Sequence, residues 1–136
     1  MSVDRLTPPG MFQPVPYHHV AVGTGTRHIH VAGQISRNEE ADRLFPDDLV
    51  GQVGQAFRNA AKGLAAAGAS FDDVVRMRFF LTRSRPEMFE DFMAGIEAVR
   101  AELQLPSPLP PLSAIGVDFL FEPDVLVELE VYAVLP

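Results

Sequence analysis

Between Leu49 and Leu64 the apolar residues Leu49, Val53, Ala56, Phe57, Ala60 and Leu64 recur at spacings of three and four, the mark of one buried helical face. A second stripe follows, with Pro86 suited to a first turn and Met88 or Phe89, Phe92, Ile96 and Val99 on one side. One-faced helices must be laid on something apolar, and here that is sheet. In "VVRMRFFLT", Val75, Met77, Phe79 and Leu81 alternate with Arg76, Arg78, Phe80 and Thr82. In "DVLVELEVYAVL", Val125, Val127, Leu129, Val131 and Ala133 oppose Leu126, Glu128, Glu130, Tyr132 and Val134.

The remaining segments complete the order. Residues 1–16 carry Pro8, Pro9, Pro14 and Pro16 and read as an extended N-terminal arm. His19–Val22 and His28–Ala32 are β-rich runs joined by the Gly-rich "GTGTR", which predicts a hairpin. A polar loop precedes the first helix, Asp47 or Asp48 is placed to cap its start, and Gly68 its end. "LSAIGVDFLF" reads as the penultimate strand, followed by the turn "EPD". The order ββ-α-β-α-ββ predicts an α+β layer sandwich in which a mixed sheet is covered on one face by two helices. At 136 residues a single domain, 1–136, is expected. The other sheet face keeps aromatic and aliphatic side chains, so oligomerisation is expected.

Composition narrows the chemistry. Without cysteine there is no disulfide, thiolate metal site or cysteine nucleophile. A net charge of −7 with scattered arginines argues against a nucleic-acid partner. No apolar run reaches the roughly 20 residues of a membrane span. The N-terminus has neither signal-peptide nor transit-peptide character, so the expected location is cytoplasmic. His28 and His30 share a strand face with His18 and His19 on the neighbouring run, but no third ligand type is in register, and surface imidazoles are the better reading. The "GTG" opens no helix and carries no nucleotide-binding meaning. No metal and no cofactor is expected.

Four pieces in order resemble the RidA/YjgF family, several of whose members hydrolyse reactive enamines and imines: "PYHHVAVG", "VAGQIS", "QVGQAFRNAAKGLAAAGASFDDVVRMRFFLT" and "DVLVELEVYAVL". The likeness covers nearly the whole chain. It implies a chorismate-mutase-like fold and a homotrimer whose sheets form a central barrel, with small-molecule pockets at the subunit interfaces. In active members a glutamate of the last strand orients or deprotonates the attacking water, and the matching residue is Glu128. Tyr17 matches a pocket tyrosine, Ala32 replaces a serine, Gly33 keeps a glycine, and Met93 falls where an asparagine is common. The family's carboxylate-gripping arginine corresponds to Leu112 of "PLSAI", with Ser113 and Ala114 beside it. Losing a bidentate guanidinium removes a charge-assisted contact and makes the pocket more apolar. The resemblance therefore implies either imine or enamine hydrolysis with altered substrates or a non-catalytic metabolite-binding module. Arg76, Arg78 and Arg85 are the candidates to replace the lost cation.

Overall fold

A computed structural model describes residues 2–136. Its elements are β1 (Val3–Leu6), β2 (Val20–Gly23), β3 (Arg27–Gln34), α1 (Leu49–Ala66), a 3-10 turn (Phe71–Asp73), β4 (Val74–Thr82), α2 (Met88–Leu103), β5 (Leu112–Val117) and β6 (Val127–Leu135). The main sheet has the order β3-β6-β4-β5; only the β4–β5 pair is parallel, so the sheet is mixed. Both helices cover one face, giving the α+β arrangement that the alternation predicts.

All six apolar residues of the first stripe are buried in α1. The Asp48 side chain caps the helix by accepting from Gly51 N (3.0 Å). At the other end Gly68 takes φ +79°, and its N–H reaches Ala65 O while Ala69 N–H reaches Leu64 O, closing the carbonyls of the last turn. In α2, Phe92, Ile96 and Val99 are buried and Met88 packs on the core, whereas Phe89 points outward. Pro86 lies in a turn just before the helix rather than in its first turn. Phe79 joins the layers, its ring 5.6 Å from Phe57 of α1 and 4.8 Å from Phe92 of α2.

Four local expectations are corrected. The hairpin is absent: β2 pairs with β1 in a separate two-stranded sheet, and β3 pairs with β6. The arm therefore contains a strand, formed before its first proline, where every residue retains its N–H. Arg5 anchors it by donating to Phe71 O (2.9 Å) and Val74 O (2.8 Å). In β4 an irregularity between Val74 and Arg76 sends Val74, not Val75, into the core. The penultimate strand stops at Val117, leaving Phe119 and Phe121 exposed, and the last begins at Val127.

Two polar devices fix the approach to β6. Gln52, buried on α1, donates to Phe45 O (3.1 Å) and Asp124 O (2.9 Å) and accepts from Leu126 N (2.9 Å). Arg37 makes a two-pronged pair with Asp124 (2.9 and 3.0 Å) and also reaches Glu122 (2.8 Å). These bonds hold the Asp124 and Glu122 carboxyls below their usual range, with Arg37 the main cause.

Candidate functional site

The strand pairing sends β5 side chains to alternate faces. Leu112, Ala114 and Gly116 sit opposite Met77, Phe79 and Leu81 and so share the helix-covered face. The edge strand lies at the margin of that cover, and a cavity of about 460 Å³ opens there. Leu112, Ser113 and Ala114 line it from β5, and Met93 lines it from α2. Tyr17 completes this group because its segment is stitched to the stretch before β5: His18 N–H donates to Leu109 O (2.8 Å) and Leu109 N–H to Pro16 O (2.9 Å). Leu81, Met88, Phe89 and Phe92 make the cavity predominantly apolar.

The other three residues lie apart. Glu128 is on the uncovered face of β6, opposite Phe80, and is half-buried. Gly33 falls in the irregular stretch of β3 between Val31 and Gln34, and a Cβ there would stand 2.6 Å from the Glu128 carboxyl carbon. Only a glycine lets the carboxyl lie against this backbone. Ala32 is the exposed residue alongside, its carbonyl accepting from Gln34 Nε2 (2.9 Å). Asn59 of α1 secures the exit of β3, donating to Ile35 O and Arg37 O, both at 2.9 Å. Burial, and secondarily the charge of Glu130, pushes the Glu128 carboxyl above the usual carboxylate range.

One chain thus brings together Tyr17, Met93, Leu112, Ser113 and Ala114, and separately Ala32, Gly33 and Glu128; neither Glu128 nor its two neighbours lines the Leu112 cavity. The three candidate cations also separate. Arg76 and Arg78 are on the open face: Arg76 donates to Ser113 Oγ (3.3 Å), and Arg78 donates to Tyr132 Oη (2.7 Å) with Glu130 at 2.9 Å. Arg85 lines the cavity. Ser84 and Phe89 of the lining were not singled out by sequence reasoning. The one available signal was that the second stripe admits Met88 or Phe89, and whichever is not used in the core must face out. The four histidines occupy other places: His18 Nδ1 is 2.9 Å from Thr7 Oγ1, His19 Nε2 is 2.7 Å from Phe12 O, and His30 stacks edge-on against Tyr132 beside His28. Among the described residues no three metal-ligating side chains converge, and no helix is long and apolar enough to cross a membrane.

Comparison with known proteins gives a consistent picture. A family model described as Endoribonuclease L-PSP matches residues 12–135. The RutC family protein YjgH of Escherichia coli K12 is 36% identical over 92 residues, which are 68% of this chain and 65% of that protein, so the match spans just under two thirds of the relative. A Mus musculus protein named 2-iminobutanoate/2-iminopropanoate deaminase is 27% identical over 97 residues, 68% of this chain and 71% of the other. The crystal structure of YyfB from Yersinia pestis, a Rid family protein, superposes with a TM-score of 0.88 at 30% identity, covering 99% of this chain and 100% of that one. The family match spans both residue groups, from Tyr17 through Glu128, and the chain belongs to the RidA/YjgF family, whose model carries the description Endoribonuclease L-PSP.

Proposed function

We propose that the two residue groups are halves of one site, joined when copies of the chain assemble as a homotrimer, and that the site hydrolyses a small imine, enamine or related carbonyl compound. The observation that carries this reading is the half-buried Glu128 carboxyl, seated on Gly33 and held by burial above the usual carboxylate range, yet outside the apolar cavity of its own chain. A second copy would supply the cavity. In the reaction, Glu128 accepts a proton from water as the water oxygen bonds to the imine carbon and the C=N electron pair moves to nitrogen. Glu128 returns that proton to nitrogen, giving a carbinolamine. The hydroxyl proton then passes through Glu128 to nitrogen as the C–N bond breaks, so that ammonia leaves, a carbonyl remains and Glu128 is again ionised. Neither a metal nor a cofactor is needed for this step.

Leu112 favours a substrate range different from that of arginine-bearing members, with turnover of short 2-imino acids weak. The same residue supports a second reading, in which the apolar cavity binds a metabolite without turning it over. Ribonuclease activity, present in the family's name, is disfavoured by the net charge of −7, which repels a phosphate backbone.

The test is hydrolysis of freshly generated 2-imino acids and neutral imines by wild type, Glu128→Gln and Leu112→Arg. Wild-type turnover is expected to fall by roughly 10²-fold or more in Glu128→Gln, and Leu112→Arg is expected to raise turnover of the 2-imino acids selectively. Equal rates in wild type and Glu128→Gln on every accepted substrate would remove the hydrolytic mechanism. Ligand binding without turnover would support the binding-module reading instead.

A further inference from the structure

We infer that Arg85 takes over anion recognition in this cavity, and that the ligand it selects carries an apolar body and a carboxylate remote from its carbonyl or imine carbon. This inference rests on the reading of the cavity as the ligand site. Of the three candidate arginines, two lie outside the lining of this cavity and already have partners. Arg76 and Arg78 project from the uncovered side of β4 and are engaged with Ser113, Tyr132 and Glu130, while Leu112 faces the helix-covered side. Arg85 alone among the cavity's lining residues is cationic.

Its position differs from that of the missing group. Leu112 belongs to the strand wall, whereas Arg85 belongs to the exposed turn that leads into α2, with 60% of its side chain accessible. Its present partner, Glu87 at 3.3 Å, is 69% accessible. Such a surface pair is weak and is readily exchanged for a ligand carboxylate, to which guanidinium can offer two parallel donors. Between strand wall and turn the lining is apolar: Met88, Phe89, Phe92 and Met93 leave no second cation to hold a charge deep inside. A short 2-oxo or 2-imino acid places its charge next to its reacting carbon and cannot serve the apolar wall and the Arg85 turn at once. A longer ω-carboxylate with an aryl or branched body can.

The probes are 5-oxo-5-phenylpentanoate, its primary amide, and pyruvate, titrated calorimetrically against the full chain in wild type, Arg85→Gln, Arg83→Gln and Ala114→Trp. In wild type the phenyl acid is expected to bind roughly ten-fold tighter than its amide and than pyruvate. Added salt should narrow the acid–amide gap, because the cation is exposed. Arg85→Gln should erase the gap by weakening the acid about ten-fold more than the amide, and Arg83→Gln, which removes the same charge two residues away, should preserve it. Ala114→Trp, filling the cavity at an exposed position, should abolish binding of both phenyl compounds. Equal acid and amide affinities in wild type, or a gap that survives in Arg85→Gln, would overturn the role of Arg85 while leaving the cavity intact as ligand site. Absence of binding by either phenyl compound, or binding indifferent to Ala114→Trp, would overturn the cavity reading together with it.

Discussion

In the proposed mechanism Glu128 can take water's proton only when ionised, and burial together with the neighbouring Glu130 charge holds its own proton more tightly than usual. Hydrolysis should therefore rise with pH along an acidic limb displaced above the ordinary glutamate value of about 4.3. Glu130→Gln removes the like charge but not the burial, so the limb should move down in pH without reaching that value; a pH–rate profile of the two proteins checks this. Gly33 can be tested separately. In Gly33→Ala the new methyl would force the Glu128 carboxyl aside, and turnover should drop by about 10²-fold, the scale of a 1 Å misplacement. Thermal denaturation run alongside should show the fold retained. Glu128 is a candidate in the sequence only through family resemblance, since alternation alone assigns Glu128 and Glu130 to the same solvent-facing side. What the sequence concealed was the contact with Gly33, which depends on a break in strand register that no local pattern announces.

The secondary elements divide in the same way. Both helices declare themselves because their periodicity reports burial directly; for α1 the sequence also offers Asp47 or Asp48 and Gly68 as end signals, and the structure uses Asp48 and Gly68. Strand partners are decided by long-range packing, so "GTGTR" looked like a hairpin turn although β2 goes to β1 and β3 to β6. Val3–Leu6 was too short to stand out beside four prolines, and its strand depends on Arg5 reaching carbonyls near residue 72, far along the chain. Gln52 is a polar residue hidden in a helical face, and its three hydrogen bonds tie α1 to the entrance of β6, the strand that carries Glu128. Gln52→Leu keeps the volume but leaves the Asp124 carbonyl and the Leu126 amide without partners, while Phe45 O keeps the Asp48 N–H. A loss of about 2–4 kcal/mol is expected in urea unfolding.

At the scale of the molecule, the open sheet face is mixed rather than apolar. It displays His28, His30, Arg76, Arg78, Glu128, Glu130 and Tyr132 together with Phe80. A partner copy on such a surface would meet ion pairs and rings as well as aliphatic area, so assembly should be sensitive to salt. Periodicity separates inward from outward residues on a strand but cannot tell solvent from a second copy. For that reason the separation of the candidate residues into two groups is legible only with the fold. The measurement that bears most directly on that division is complementation between two inactive variants, Glu128→Gln and Ala114→Trp, each spoiling one group. The proteins are unfolded together, refolded as an equal mixture and assayed for imine hydrolysis, with native mass spectrometry recording mixed assemblies. If each site draws Glu128 from one chain and its cavity from the next, roughly a quarter of the wild-type activity should return. Mixed assemblies that remain as inactive as either variant alone would contradict a site shared between chains.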